Sequence, residues 1–335
     1  MWRKSASGHD IVVIGASAGG VEALTRVVGG LPADFPAAVF VVLHIPPDAP
    51  SALATILDRA GPLPAGQAEH HEPIEPGRIY VAPPNRHLVV HRGQVVLEAG
   101  PRENSARPSV DVLFRSAARA YARRAVGVVL SGTLHDGALG LAAIKMHGGV
   151  TIVQDPSEAL FAGMPESALR TTEVDYCLPA VDIPTRLVEL TQHTFETGLM
   201  PSEPDQSEHT IHAADEPDGQ LSPKLPNAAS GLTCPECHGS LWELNEGDSF
   251  RFECRTGHAY GVDALLAEQG EAVEAALWAA VNSLQERAAT FRRLADNAAA
   301  QATGPAYVER AELIESHAEA LLQLLRGLIA DGQVG

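Results

Sequence analysis

Three side chains far apart in the chain have the types needed to activate a hydroxyl. Ser17 sits in Ile14-Gly-Ala-Ser-Ala-Gly-Gly20, after a short β-branched run and before a helical pattern. A serine hydroxyl is a weak nucleophile at neutral pH, so it needs a base within hydrogen-bond reach and a third group that fixes the base's tautomer. His44 ends the second apolar run, Val39-Phe-Val-Val-Leu43, and Asp136 lies in Ser131-Gly-Thr-Leu-His-Asp-Gly137, just after another apolar run. Each of the three follows a candidate strand, and in an open α/β sheet functional groups gather just beyond the carboxyl ends of the strands. The glycine loop also fits a phosphate cradle of a nicotinamide-binding unit. That unit usually ends its second strand in an acid that holds the ribose; His44 in that place favours the nucleophilic reading. Singly, each residue has a plainer role: Ser17 as an anion-binding or capping residue, His44 as a core histidine, Asp136 as the cap of a helix starting at Gly137. Their order on three strand ends favours chemistry.

A second set of potential ligands lies downstream. Cys234-Pro-Glu-Cys237 is followed, after sixteen residues, by Cys254-Arg-Thr-Gly-His258. Two paired donor groups suit tetrahedral zinc in a ribbon whose strands would be 240–244 and 250–253, and four protein ligands leave no open position, which predicts a structural metal. His238 is expected to be a bystander. Cys177, alone in an apolar stretch, is expected to be a small core residue.

The elements that must position these groups are legible as alternation. Strands are predicted at 11–15, 39–43, 78–82, 126–131, 150–154 and 174–178, and helices at 20–31, 50–60, 109–122, 137–147 and 183–195. This pattern gives an α/β fold, a doubly wound, mostly parallel sheet. Runs 87–90 and 94–97 around Arg92-Gly93 predict an antiparallel hairpin. The domain plan is a catalytic domain at 10–195, a flexible linker rich in Pro, Ser, Asp and Glu at 196–231, a small zinc-ribbon-like segment at 232–261 and a C-terminal helical hairpin at 262–331. In the hairpin, stripes formed by Val273, Leu277, Val281, Leu284, Ala288 and Phe291 and by Ile314, His317, Leu321, Leu324 and Leu328 would face each other or a partner's helices. An isolated pair has little core, which points to self-association.

Composition bounds the class. With 335 residues, 45% of them hydrophobic, the chain can bury one large core and carry a smaller unit. A net charge of -18, from 42 acidic and 24 basic residues, argues against a nucleic-acid partner. No run approaches the roughly 20 apolar residues of a membrane span, and the first nine residues lack the apolar core of a secretory signal, so no membrane insertion and a cytoplasmic location are expected.

The blocks Ile14-Gly-Ala-Ser-Ala-Gly-Gly20, Val42-Leu-His-Ile45, Ala82-Pro-Pro-Asn-Arg-His-Leu88, Arg107-Pro-Ser-Val-Asp-Val-Leu-Phe114, Ser131-Gly-Thr-Leu-His-Asp-Gly137 and Gly163-Met-Pro-Glu166 follow one another in consistent order across residues 10–195. In these blocks the chain resembles the CheB-type chemotaxis protein-glutamate methylesterases. The resemblance implies hydrolysis of glutamate methyl esters on chemoreceptors or related signalling proteins, with release of methanol, and deamidation of selected glutamines. It implies Ser17 as nucleophile, His44 as base, Asp136 as orienting carboxylate, and no cofactor for catalysis. Ala18 and Thr133 are the expected oxyanion donors; the family usually has methionine where Thr133 stands, but a backbone donor survives a side-chain change. Met164 is expected to line the cleft or pack beneath it. Arg86 and Arg107 are candidates for contact with an acidic receptor surface, with solvated loop cations as the equal alternative. His135 is expected to be a solvated loop residue. The family normally carries an N-terminal receiver domain, whereas here the esterase blocks begin at residue 10, so control by an internal phospho-switch is not expected. The competing reading is a non-catalytic signalling scaffold that keeps the methylesterase fold.

Overall fold

A computed structural model of the chain describes residues 8–45, 51–192, 229–246, 249–297 and 304–330. The chain divides into two compact units, Met1–Ala264 and Leu265–Gly335.

The first unit is built on a seven-stranded parallel sheet. Its strands are β1 (Ile11–Ala16), β2 (Ala38–Leu43), β3 (Ala65–Gln67), β4 (Ile79–Val81), then, after a separate hairpin of β5 (His87–His91) and β6 (Gln94–Glu98), β7 (Ala125–Val129), β8 (Val150–Gln154) and β9 (Tyr176–Leu178). Their spatial order is β3-β4-β2-β1-β7-β8-β9. β1, β2 and β7 are buried at every position, as expected of strands covered on both faces. Successive residues point to opposite sides: Val12 and Ile14 join the core under one helical layer, Ile11 and Val13 the core under the other. Helices α1 (Gly20–Gly29), α2 (Leu53–Ala60) and a later helix at Ile183–Gln192 cover the first face. α3 (Val110–Tyr121), α4 (Ala138–Met146) and α5 (Gly163–Thr171) cover the second; the Ile183–Gln192 helix is α6. α1 shows why these segments are helical: Ala23, Leu24, Val27 and Val28 form one apolar stripe, and only that stripe meets the sheet.

Strand order reverses between β1 and β7, and at such a switch point the connections leave in opposite directions and open a crevice at the carboxyl ends. The hairpin does not extend the sheet. It forms a two-stranded sheet held on α3 by Ser116 Oγ, which accepts the Val90 N–H, and by the Tyr121 hydroxyl, which accepts the Gly93 N–H. β3 and α5 lie outside the predicted elements because a three-residue strand and a helix opening on Gly-Met-Pro carry almost no periodic signal. Cys177 is exposed on edge strand β9, which corrects the expectation of a core residue; an edge strand has a neighbouring strand on one side only.

The cysteine segment folds as a three-stranded antiparallel sheet, β10 (Leu241–Glu246), β11 (Ser249–Cys254) and β12 (Ala259–Gly261). Of the predicted linker, residues 196–228 lie outside the described residues. The chain continues into α7 (Val262–Asn297), and α8 (Gly304–Ala330) follows. In the second unit the buried seam consists of Val281, Ala288 and Ala295 on α7 and Ala311, Ile314, Ala318 and Leu325 on α8. Arg292 pairs with Glu315 and Phe291 lies beside Tyr307, so the end of α7 meets the start of α8. The predicted stripes are corrected in part: Val273, His317 and Leu324 are exposed, because the helices meet along alanines spaced by seven that permit close approach.

Candidate active site

β1 and β2 pair in register with Ala16 beside Leu43, so the next residues on the two strands are Ser17 and His44. Neighbouring parallel strands lie about 4.8 Å apart, which brings the alcohol and the imidazole to one sheet edge. The His44 N–H donates to Ala16 O at 3.1 Å and holds that register past the last paired residues. On the other side of β1, the Ser17 N–H donates to Ser131 O at 2.9 Å, tying the elbow to the loop after β7.

That loop carries Asp136, which is 1% exposed and lies 2.7 Å from His44 through Oδ2 and Nε2. Asp136 accepts four further bonds: from the Val110 N–H at 2.6 Å, the Asp111 N–H at 3.1 Å, the Ser109 hydroxyl at 2.9 Å and Asn104 Nδ2 at 3.0 Å. It therefore caps α3 rather than the helix that follows it, a correction of the plainer reading. Two otherwise orphaned N–H groups of the α3 first turn and the positive end of its dipole stabilise the carboxylate. Burial alone would raise the Asp136 pKa, but the His44 bond and the other donors hold it below the ordinary carboxylate value. α3 reaches the site because residue 15 is glycine: a β-carbon there would overlap the Val110 side chain.

Beside it lies Asp111, fully buried, accepting the Gly140 N–H at 2.6 Å and Asn104 Nδ2 at 2.8 Å. Burial, then the charges of Asp136 and Glu103, push Asp111 up to about 8. With five donors on Asp136 and two on Asp111, the negative charge belongs to Asp136 and the shared region keeps its proton on Asp111. His87 supports the same corner, with Nε2 donating to Pro101 O at 2.8 Å and Nδ1 accepting the Ser109 N–H at 3.3 Å. Asn104, Ser109, Asp111 and His87 were not among the residues singled out from sequence; the only signal was the Arg107-Pro-Ser-Val-Asp111 block ahead of a helix, where serine reads as an N-cap.

The floor of the cleft is close-packed. A β-carbon at Gly132 would overlap Met164 Sδ and stand 2.9 Å from Ser17 Cβ. Met164 is 1% exposed, so it packs under the elbow instead of lining open space. Ser131 Oγ donates to Ala18 O at 2.9 Å and accepts the Phe161 N–H at 3.0 Å, fixing the elbow to the loop before α5. Among the described hydrogen bonds the Ala18 and Thr133 N–H groups have no intramolecular acceptor. Arg107 is held by Asn85 Oδ1, Ala99 O and Gly100 O, whereas Arg86 is exposed. His135 is half-buried, not solvated as expected: Asp263 Oδ2 lies 3.7 Å from its Nδ1, and burial lowers its pKa.

Cys234, Cys237, Cys254 and His258 converge, their ligand atoms all within 4.8 Å of one another. Cys237 Sγ is 3.6 Å from Cys254 Sγ, and His258 Nδ1 is 3.7 and 3.5 Å from the sulfurs of Cys234 and Cys254. Zinc–sulfur bonds of about 2.3 Å in a tetrahedron put ligand atoms about 3.8 Å apart, so the spacing fits zinc. His258 Nε2 lies 3.2 Å from Glu236, the outer carboxylate that a ligating histidine usually has. Burial opposes ionisation of the thiols, yet the Gly239 N–H and His258 bring Cys237 down to about 6, while burial pushes Cys254 up to about 11.

A family model described as CheB methylesterase matches residues 12–187. A protein of Anaeromyxobacter dehalogenans named protein-glutamate methylesterase/protein-glutamine glutaminase 2 is 45% identical over 183 residues, 55% of this chain and 54% of that protein. A Thermotoga maritima protein named for the same two activities is 38% identical over 191 residues, 56% of each chain. The crystal structure of the Thermotoga maritima CheB methylesterase catalytic domain matches at a TM-score of 0.52 and 38% identity, covering 54% of this chain and 98% of that one. The chain thus spans about half the length of the two named relatives.

Proposed function

Since this chain belongs to the CheB methylesterase family, we propose that it hydrolyses glutamate methyl esters on chemoreceptors or related signalling proteins. The observation that supports this most directly is the buried, five-fold hydrogen-bonded Asp136 on the ring of His44, itself next in register to Ser17. Ser17 Oγ attacks the ester carbonyl while His44 takes its proton through Nδ1, the nitrogen that Asp136 leaves free. The negative oxygen of the tetrahedral intermediate is met by the N–H groups of Ala18 and Thr133. His44 then returns the proton to the departing methoxide, methanol leaves, and water attacks the acyl-serine with His44 again as base, releasing the glutamate. A glutamine side chain entering the same path loses ammonia instead, which is deamidation. No step uses a cofactor. Arg86, exposed among the described residues, is a candidate cation for an acidic receptor surface.

The same reading gives the Cys234, Cys237, Cys254 and His258 cluster a structural zinc ion, which would tie β10, β11 and the knuckle before β12 together without joining the chemistry. Self-association through α7 and α8 and work on the cytoplasmic side complete it; no helix among the described residues is long and apolar enough to cross a membrane. The test is methanol release from receptor-containing membranes methylated with labelled methyl groups. Release by the native chain and none by Ser17→Ala is expected. Equal release from both, or none from either, would defeat the esterase reading and favour a scaffold; a metal assay before and after chelation checks the zinc.

A further inference from the structure

We infer that Asn104 is a positioning residue through which the Cys/His cluster governs the hydrogen bonding of Asp136; this rests on the zinc and triad readings above. Every polar group of the Asn104 amide is committed. Nδ2 donates one hydrogen to Asp136 Oδ1 at 3.0 Å and the other to Asp111 Oδ2 at 2.8 Å, while Oδ1 accepts the Gly261 N–H at 3.0 Å. These three partners admit one orientation of the amide, because the flipped one would aim a carbonyl at two buried carboxyl groups and an NH2 at a backbone donor. The Asn104 backbone is held in the same way. Its φ is 49°, a left-handed conformation that needs support, and its N–H donates to Ala259 O at 2.9 Å. Glu103 forms a parallel bridge with Ala259, and Pro101 packs against Gly257.

All of the outer partners of Asn104 therefore lie on the few residues that follow the last ligand of the cluster. β12 begins at the residue after His258 and pairs with β11, which ends in Cys254. Inside the knuckle the Cys254 N–H donates to His258 O and the Gly257 N–H to Cys254 O. A metal that clamps Cys254 to His258 thus fixes the position of the Ala259 carbonyl and the Gly261 amide. Without the clamp β12 loosens, the Gly261 bond is lost, the amide is free to turn, and Asp136 loses one of five donors. The cluster is then a switch on the esterase: zinc loss from the knuckle weakens the hold on the carboxylate that orients His44, at a site that touches no substrate.

The experiment uses the full chain, zinc-loaded and chelator-stripped, as native protein, Asn104→Ala and Gly261→Pro. The last removes one N–H that points away from the β11 ladder. Three readouts are taken: zinc per chain, the rate of Ser17 labelling by a fluorophosphonate, and the low-field proton resonance of the His44–Asp136 bond. Stripping the native chain should slow labelling on the order of tenfold, the size of one hydrogen bond to a charged group, and broaden the resonance, with both restored by added zinc. Asn104→Ala and Gly261→Pro should still bind one zinc, label slowly, and be indifferent to stripping. Stripping that leaves the native rate unchanged, or slows native and Asn104→Ala protein by the same factor, would overturn the inference; absence of zinc from the native chain would overturn it through the metal reading. Labelling and the resonance need no receptor, so a failure of methanol release with these responses intact would remove the substrate reading alone.

Discussion

Asp136 keeps its charge where water does not reach, and the reason is local: a first helical turn, a hydroxyl, an amide and an imidazole converge on two oxygens. Removing that charge should cost far more than removing a contact. Asp136→Asn turns an NH2 toward at least one of those donors and leaves His44 without its counter-charge, so labelling of Ser17 and methanol release should fall by about 10³ to 10⁴, with Michaelis constant little changed. The two carboxyls also set opposite pH trends. Asp136, depressed by the donors that outweigh its burial, contributes stability that is present above the unfolded value near 4 and lost as pH falls through the lower folded value. Asp111, raised to about 8 by burial and its acidic neighbours, contributes stability that is full below about 4 and lost as pH rises through about 8. Urea unfolding of the native chain should therefore show a decline between about pH 5 and 8 that is much flatter in Asp111→Asn, whatever that variant's absolute stability. An unchanged slope would mean that Asp111 titrates normally.

At the scale of elements, the site depends on how closely the loop after β7 can lie under the elbow. Gly132→Ala forces a methyl group into Met164 and Ser17, and should cost about 1–3 kcal/mol of stability together with most of the activity. Adding Met164→Ala opens that space and should return part of both, measured by thermal unfolding and by labelling; no recovery would place the strain elsewhere. The elements themselves were largely legible from sequence. β1, β2 and β7 read as fully apolar runs because both faces are covered, and glycine, histidine and aspartate at their ends marked the crevice. What sequence did not reveal was which helix the carboxylate would serve: Asp136 precedes α4 by two residues but caps α3, and only the close approach at Gly15 explains why. Asn104 was silent for a related reason, since only Asp111 among its side-chain partners is near in sequence, while Asp136 lies 32 and Gly261 157 residues further along. The α7 and α8 stripes were read by hydrophobicity, while the helices meet on alanine, whose small size matters more than its hydropathy.

On the scale of the whole molecule, an acidic chain carries a thin-cored helical unit. The seam of Val281, Ala288, Ala295, Ala311, Ile314, Ala318 and Leu325 is short on large side chains, whereas Trp278, Leu294, Leu313, Leu324 and Ile329 remain exposed. Two helices of 36 and 27 residues must offset the conformational entropy of their whole length with that seam, and a second copy supplies more apolar area than any change within one chain. Self-association is thus the expected outcome, and charge sets its salt dependence. Each copy carries -18, so copies repel at long range, and association should strengthen as added salt shortens the screening length. Light scattering across a dilution series should show a mass above one chain that rises with concentration and with salt. Leu313→Glu or Leu324→Glu should raise the dissociation constant roughly thirtyfold, about 2 kcal/mol, while zinc content and Ser17 labelling of the first unit stay as in the native chain. A single-chain mass at every concentration and salt would leave those leucines to another partner, and a mass that falls with salt would show that charge pairs, not the apolar stripe, hold the copies together.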